Sequence, residues 1–296
     1  MKHWLQAFRL RTLPLAFSCI LLGSFLAKEK LDGSILLFTL LTTLFLQILS
    51  NLANDYGDYS KGVDNNQRVG PTRALQGGFI TKIHMKRAIV IFSVLSLIFG
   101  ISLLTLAFDI TQPLFFVFLL LGVSAIVAAI KYTMGKNPYG YMGLGDVFVF
   151  VFFGLVGVVG TNFLHTHTFD VLILLPACTV GFLSVGVLNL NNLRDIKNDS
   201  ESGKKTLVVK LGYAVGKKYH ASLLTAATVC AFAYVILTNN LFEWQHYLFV
   251  LVLPIWIKQI MFVRKCETPS DLNPELKKLA MSTLLFVLLY GLPFIN

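Results

Sequence analysis

Two sets of acidic and amide side chains, far apart in the chain, have the spacing of a single helical face. The first set lies at the start of NLANDYGDYSKGVDNNQRVGPTR, at positions i, i+3, i+4 and i+7, and consists of Asn51, Asn54, Asp55 and Asp58. The second set lies in NLNNLRDIKND, at positions i, i+3 and i+7, and consists of Asn192, Asp195 and Asp199. We refer to them as the first and second acidic stripes.

The donor atoms of both stripes are typical of a magnesium site. Mg²⁺ prefers oxygen ligands and is usually held by one or two carboxylates together with substrate phosphates. Neither stripe contains Cys or His, which argues against zinc. The predicted metal ligands are the oxygen-bearing residues on or beside the stripes: Asn51, Asn54, Asp55, Asp58, Asp64, Asn192, Asp195 and Asp199.

Basic residues accompany each stripe, which predicts an anionic phosphate ligand next to the metal. Arginine binds a phosphate through two parallel hydrogen bonds, whereas lysine acts as a point charge. The predicted diphosphate-binding residues are Asn54, Lys61, Arg68, Arg73, Arg194 and Lys205. One such stripe is equally well explained by capping or solvated residues at a helix end. Two matched stripes with flanking bases favour a ligand.

The composition shows which elements must position these residues. The chain has 296 residues, of which 55% are hydrophobic and 14% charged, against about 25% charged in a soluble domain. The apolar residues form long blocks, so the sequence predicts an all-α, polytopic membrane protein, organised as a single domain over residues 1–296. Short alternating segments typical of a membrane β-barrel are not visible. The nine apolar segments cover residues 13–27, 35–52, 88–108, 114–130, 147–164, 171–190, 221–237, 247–263 and 279–294.

The distribution of basic residues predicts the topology. The net charge of +10 resides in short loops between the apolar segments, so membrane topology and an anionic ligand explain it better than nucleic acid. The positive-inside rule places the N-terminus and four basic loops in the cytoplasm, and nine spans then leave Asn296 outside the cell membrane. Each stripe follows an even-numbered span, so both are expected at the cytoplasmic face, in a pseudo-repeat of helix pairs.

A diphosphate beside a membrane bundle has a natural apolar partner, an isoprenoid chain. When the bond between them breaks, an allylic carbocation develops, and the faces of tyrosine rings stabilise such a cation. Three tyrosines are available in KYTMGKNPYGYMGLGD, namely Tyr132, Tyr139 and Tyr141. Tyrosines near the ends of spans also serve as interfacial anchors, which is the more common role.

At these residues the chain resembles the UbiA superfamily of intramembrane aromatic prenyltransferases. The first motif of that family is N-x-x-x-D-x-x-x-D, and Asn54 and Asp58 match its first half. The expected final Asp falls at Gly62, with Asp64 two residues later. This departure leaves open whether Asp64 replaces the missing carboxylate or Asp55 takes over part of its role.

Two further motifs carry the resemblance. The second family motif, D-x-x-x-D, matches Asp195 and Asp199, and a Y-x-x-x-K motif matches Tyr132 and Lys136. The segments RVGPTRALQGG, NPYGYMGLGD and NNLRDIKNDSESGKKTL look most like the 1,4-dihydroxy-2-naphthoate polyprenyltransferase branch. The likeness extends over nearly the whole chain.

The resemblance implies nine transmembrane helices around a central cavity, Mg²⁺ dependence and a decarboxylative prenylation. A polyprenyl diphosphate would donate its chain to 1,4-dihydroxy-2-naphthoate and yield demethylmenaquinone. The residues expected to take part in catalysis are Asp55, Asp58, Asp195, Asp199, Tyr132 and Lys136. The candidates for binding the acceptor are Arg9, Arg11, Lys131 and Tyr139.

Three alternative functions are weighed against these sequence patterns. The acceptor could be another aromatic compound, such as 4-hydroxybenzoate. A transporter of ions or organic anions would carry acidic residues deep within its spans, and the middles of these apolar segments contain almost none. A structural scaffold would not need two matched acidic stripes. The prenyl chain length and the oligomeric state are not encoded in these patterns.

Overall fold

The nine predicted spans are confirmed in the computed structural model, which describes residues 2–65, 69–238 and 243–295. Within these residues, nine helices are long and apolar enough to cross a membrane. They are α1 (Lys2–Phe25), α2 (Gly33–Ser60), α3 (Lys82–Ala107), α4 (Pro113–Lys131), α5 (Gly145–Thr166), α6 (Val171–Glu201), α7 (Tyr213–Leu237), α8 (Trp244–Lys265) and α9 (Pro269–Phe294). Arg68 and Asn296 lie outside the described residues.

Helices α2 and α6, which carry the acidic stripes, extend well beyond their apolar segments. The apolar part of α2 ends at residue 52, yet the helix continues to Ser60; α6 likewise runs eleven residues past residue 190, to Glu201. The additional turns consist of the stripe residues, so the periodicity found in the sequence is that of real helices. At its other end, α2 begins after Asp32, whose carboxylate accepts hydrogen bonds from the amides of Ser34 and Ile35.

Helix α6 occupies the middle of the bundle. It packs against α5, α7 and α9, while α1 fills the space between α2, α5 and α9. In its most apolar window 56% of α6 is buried, compared with 22% for α3 and 11% for α4. Helices α3 and α4 therefore cover α2 from outside and present their apolar side chains to lipid, whereas α6 forms the core.

Helix α5 lies unusually close to both α6 and α1. A Cβ atom added to Gly154 would lie 2.9 Å from the Cα atom of Gly181 in α6, and one added to Gly157 would lie 2.9 Å from Sγ of Cys19 in α1. Small residues of this kind let helix backbones approach one another in a membrane. Residues Phe150–Gly160 of α5 form a π-helix, a wider turn often found at functional sites.

Candidate active site

The guanidinium group of Arg73 is the centre of the first acidic stripe. Its Nη1 atom donates to Oδ2 of Asp58 at 2.6 Å and to Oδ2 of Asp64 at 2.9 Å, and its Nε atom lies 3.6 Å from Oδ1 of Asp55. Burial disfavours the charged form of Arg73, but the three carboxylates outweigh it and raise the pKa of Arg73 above its usual value. Arg73 therefore stays charged and holds these carboxylates together.

The second stripe is organised by Arg194 in the same way. The guanidinium group binds Asp195 through two parallel hydrogen bonds, Nε to Oδ1 at 2.9 Å and Nη2 to Oδ2 at 2.6 Å. It also donates to Oδ1 of Asn191 at 2.8 Å and to Oδ1 of Asn273 in α9 at 3.0 Å. The clamp fixes the orientation of Asp195 and attaches the end of α6 to α9.

The two stripes meet at Lys204. Its Nζ atom lies 3.8 Å from Oδ1 of Asp58 and 3.8 Å from Oδ1 of Asp199. A second link joins the end of α6 to the segment that follows α2, because Nδ2 of Asn198 donates to the carbonyl oxygen of Val63 at 2.9 Å. A single ammonium group thus bridges carboxylates that are remote in sequence. We use the name charged cluster for Arg73, Arg194, Lys204 and the carboxylates that they contact, which are those of Asp55, Asp58, Asp64, Asp195 and Asp199.

Tyr141 completes the charged cluster. Its hydroxyl group donates to Oδ1 of Asp58 at 2.7 Å, and the Nζ atoms of Lys61 and Lys204 each lie 5.4 Å from the centre of its ring. Burial raises the pKa of Tyr141, and the neighbouring Asp58 carboxylate raises it further. The hydroxyl group therefore remains a proton donor at neutral pH.

A cavity of about 390 Å³ opens beside the charged cluster and is enclosed mainly by α1 to α5. Gln47, Asn51 and Asn54 of α2, together with Tyr132, form its polar end. The remainder is predominantly apolar, with lining residues that include Leu104, Phe118, Phe152, Val156 and Leu164. The site therefore has the shape and polarity required by a ligand with a charged head and a long apolar tail.

Two tyrosines stand at the junction of the cluster and the cavity. The ring centres of Tyr132 and Tyr139 lie 5.3 Å apart, and Tyr139 stacks on Phe148 at 3.9 Å while its hydroxyl group donates to the carbonyl oxygen of Ala128. Burial, and next the carboxylates of Asp58 and Asp146, raise the pKa of Tyr132, so its ring remains neutral. The two rings are therefore fixed at the point where the apolar tail of a ligand with its head in the charged cluster would enter the cavity.

Several predicted site residues have other partners. Asn51 donates to the carbonyl oxygen of Phe8 at 2.9 Å and to the hydroxyl of Thr12 at 3.2 Å, so it anchors α1 to α2. Arg9, a candidate for acceptor binding, has its Nη2 atom 3.6 Å from Oδ1 of Asp55. Asn192 is buried.

Five of the predicted site residues are exposed basic residues, namely Arg11, Lys61, Lys131, Lys136 and Lys205. Of these, Lys61 borders the charged cluster through the ring of Tyr141. Arg68, which the sequence predicts to bind diphosphate, lies outside the described residues.

The sequence predicted Lys205 as a diphosphate-binding residue, and the structure brings its neighbour Lys204 between the two stripes. The reason is the way in which α6 ends. Gly203 has a left-handed φ of 72°, and the amide of Lys204 donates back to the carbonyl oxygen of Asp199 at 2.8 Å. This is a Schellman motif, which turns the residue after the glycine toward the last helical turn. The signal in the sequence is Gly203, four residues after Asp199, the last residue of the stripe.

The possible metal ligands of the charged cluster are carboxylate oxygens, the type of ligand that suits a magnesium ion. Both carboxylate oxygens of Asp55 and Oδ2 of Asp199 are buried without a hydrogen bond, although Oδ1 of Asp55 lies 3.6 Å from Arg9 and from Arg73. Carboxylate oxygens of this kind are the ligands that magnesium prefers. In the described ranges, no three His, Cys, Asp or Glu side chains converge into a metal-binding group. Arg73 and Lys204 instead neutralise the carboxylates.

The sequence is similar to those of known prenyltransferases. Residues 16–290 match the UbiA prenyltransferase family. A Haemophilus influenzae protein named 1,4-dihydroxy-2-naphthoate octaprenyltransferase is 45% identical, with 99% of this chain and 95% of that protein aligned. A protein of the same name from Escherichia coli is 44% identical over 98% of this chain and 94% of its own length.

Solved structures have the same fold at low sequence identity. A UbiA homologue from Archaeoglobus fulgidus bound to DMAPP and Mg²⁺ superposes with a TM-score of 0.63 at 17% identity, covering 99% of each chain. The apo structure of a UbiA homologue from Aeropyrum pernix gives a TM-score of 0.65 at 14% identity, covering 94% of this chain and 98% of that one.

Proposed function

The chain belongs to the UbiA prenyltransferase family, and we propose that this integral membrane prenyltransferase transfers a polyprenyl group from polyprenyl diphosphate to 1,4-dihydroxy-2-naphthoate. The observation that carries the proposal is the convergence of two acidic stripes at the polar end of an apolar cavity. The names of the similar proteins from H. influenzae and E. coli support the identity of the acceptor.

The proposed reaction exchanges a carboxylate for a prenyl chain. The ring carbon that bears the carboxylate attacks C1 of the prenyl chain, and the bond between C1 and the diphosphate oxygen breaks. The diphosphate leaves with the bonding electrons. Loss of the carboxylate as CO₂ then returns an electron pair to the ring and restores its aromaticity. The product is the hydroquinone form of demethylmenaquinone, which yields the quinone on oxidation.

The charge balance of the cluster explains why a metal is expected. Arg9, Arg73, Arg194 and Lys204 largely neutralise the carboxylates of the two stripes. A diphosphate would add negative charge to this nearly balanced set, so it binds well only together with further cations. We propose that Mg²⁺ would be held by carboxylates on or beside the two stripes: Asp55, Asp58, Asp64, Asp195 and Asp199. When bound, it would neutralise the departing diphosphate.

The chain's own groups would act at the two ends of the breaking bond. Lys204 and Arg73, which contact Asp58, would bind diphosphate oxygens, and the hydroxyl group of Tyr141 would hold the Asp58 carboxylate in place through its hydrogen bond. At the other end, the faces of Tyr132 and Tyr139 would stabilise the positive charge that develops on the prenyl chain. The cavity would hold the tail in an extended position and exclude water from the cation.

The acceptor would enter from the side of the N-terminal segment. Arg11 is exposed, which makes it the stronger candidate for binding the naphthoate carboxylate. Arg9 is already engaged with Asp55. The resemblance also assigns Lys136 to the site. We place the charged cluster on the cytoplasmic side, following the distribution of basic loops.

The proposal is tested by incubating the purified protein in lipid nanodiscs with 1,4-dihydroxy-2-naphthoate, octaprenyl diphosphate and Mg²⁺. We expect a prenylated, decarboxylated product by mass spectrometry, equimolar diphosphate and CO₂, and loss of activity when EDTA removes the metal. A parallel reaction with 4-hydroxybenzoate tests the alternative acceptor. Absence of product, while the E. coli relative forms it under the same conditions, would contradict the proposal.

Lys204 and Lys205 provide a matched pair of variants. We expect Lys204→Ala to lower kcat/KM about 10- to 100-fold, because a buried ammonium group that faces both stripes is lost. Lys205→Ala removes the same charge from an exposed neighbour and should leave kcat/KM within about twofold. Equal losses in the two variants would show that the loop as a whole, rather than the bridging ammonium, matters.

The role of the Tyr132 ring is separated from that of its hydroxyl group by two substitutions. Tyr132→Phe keeps the ring face and should change kcat only slightly. Tyr132→Leu removes the face that stabilises the cation, a loss of about 2 kcal/mol at a desolvated site, equivalent to roughly 30-fold in kcat. Single-turnover kinetics measure both variants, and equal rates for Phe and Leu would exclude ring stabilisation.

A further inference from the structure

A second cavity lies at the end of the bundle opposite the charged cluster. Its volume is about 420 Å³, and it is formed by the loop after α1, the start of α8 and the end of α9. Helix α2 begins near this end and reaches the charged cluster 28 residues later, about 40 Å away at 1.5 Å per residue. The second cavity therefore belongs to the opposite leaflet of the membrane and plays no part in the proposed reaction.

One wall of the second cavity carries a cation without an acidic partner. Within the described residues Lys28 forms no ion pair, and its Nζ atom lies 5.8 Å from the ring centre of Phe294. The backbone of Lys28 is left-handed, with φ of 55°, a conformation that is unfavourable for a residue with a Cβ atom. The neighbouring Lys30 points elsewhere, toward the carbonyl oxygen of Thr166.

The second cavity is also lined by a carboxylate with one available oxygen, that of Glu243. Gln245 and His246 both contact Oε2 of Glu243, at 3.2 and 3.0 Å. In the part of the chain that the structure describes, Oε1 has no hydrogen-bond donor, and the Glu243 side chain is 55% exposed. The ring of His246 packs against that of Phe294 in a tilted arrangement, with 4.4 Å between ring centres, and this contact fixes the wall.

The floor of the second cavity is apolar and continues toward the lipid. Leu248, Leu288, Leu289 and Leu292 line it. Leu285 and Met281 follow on α9 and are exposed by 42% and 45%. Trp244, which is 74% exposed, marks the level of the membrane interface beside the cavity. Opposite charges at the rim and an apolar groove below them match the parts of one zwitterionic lipid.

We propose that the second cavity binds the headgroup of a zwitterionic phospholipid with a primary amine, phosphatidylethanolamine. Lys28 binds the phosphate, and Oε1 of Glu243 accepts a hydrogen bond from the ammonium group. The acyl chains lie along the exposed leucines of α9. Since α9 packs on α1 and α6, the lipid stabilises the contacts among these helices.

Native mass spectrometry of the full-length protein in detergent tests the proposal. The protein is titrated with phosphatidylethanolamine and with phosphatidylglycerol of the same acyl chains. We expect one tightly bound phosphatidylethanolamine, with Lys28→Gln lowering its affinity about tenfold or more. Lys30→Gln removes an equal charge on the same loop and should leave the affinity unchanged.

The contribution of the amine is tested separately. Glu243→Gln should weaken binding of phosphatidylethanolamine but not of phosphatidylglycerol, because only the first lipid has an ammonium group. Free phosphoethanolamine should not compete, since it lacks the chains that fill the apolar floor. Wild-type affinity in Lys28→Gln, equal losses in Lys28→Gln and Lys30→Gln, or a Glu243→Gln variant that binds phosphatidylethanolamine as tightly as the wild type would each overturn the proposal.

Discussion

Replacement of Asp58 by alanine is expected to lower kcat by about 10³-fold, the loss typical of removing a preorganised electrostatic group. Asp58 contacts Arg73, Tyr141 and Lys204 through its two oxygens, so one substitution releases three groups of the charged cluster. Asp195→Ala should have a similar effect, because Asp195 lies on the opposite stripe. Turnover is measured with 1,4-dihydroxy-2-naphthoate and octaprenyl diphosphate in nanodiscs.

Asp271→Ala is the control for these two variants. Asp271 is an exposed carboxylate in the first turn of α9, near the end of the bundle that carries the charged cluster. Its loss should leave kcat within about twofold. The Asp58 variant should also remain folded, since Arg73 retains Asp55 and Asp64 as partners. Activity close to wild type in a folded Asp58→Ala protein would refute the assignment of the first stripe.

Replacement of Arg73 by methionine is expected to abolish activity and to destabilise the fold. The side chain of Arg73 is only 10% exposed and neutralises Asp55, Asp58 and Asp64. Removing one partner from a buried ion pair costs about 3–5 kcal/mol, because the remaining charge is left uncompensated. The free energy of unfolding is measured by titration with a denaturing detergent. Arg73→Lys should recover part of the stability, since it keeps the charge and loses the planar fork.

Arg87→Met is the matched control for the Arg73 variant. Arg87 is an exposed arginine near the start of α3, and its replacement should change the free energy of unfolding by less than about 0.5 kcal/mol. If Arg73→Met were as stable as Arg87→Met, the three carboxylates would not depend on Arg73 for neutralisation, and a different cation would have to hold them.

The sequence was sufficient for the features that depend on local periodicity. Nine long apolar segments predicted nine spans, and the spacing of the stripe residues predicted that α2 and α6 continue as helices beyond the apolar part. Both patterns are properties of single helices. They follow from the rise and the turn of the backbone and need no knowledge of neighbouring elements.

The features that the sequence did not yield arise from turns and packing. Periodicity places Asn51 on the stripe face, but only the fold shows that its amide faces the N-terminal segment. Lys204 and Lys205 are indistinguishable by composition, and the left-handed Gly203 decides which of them enters the cluster. The contact between Arg9 and Asp55 likewise joins residues from different helices. Such contacts are set by tertiary structure.

The most direct test is a structure of the protein with Mg²⁺ and a non-hydrolysable thiodiphosphate analogue of the prenyl substrate. We expect the diphosphate between Asp58 and Asp199, in contact with Arg73 or Lys204, and the prenyl chain passing Tyr132 toward Leu164. A diphosphate bound away from the ends of α2 and α6, or a chain lying outside the 390 Å³ cavity, would contradict the central claim.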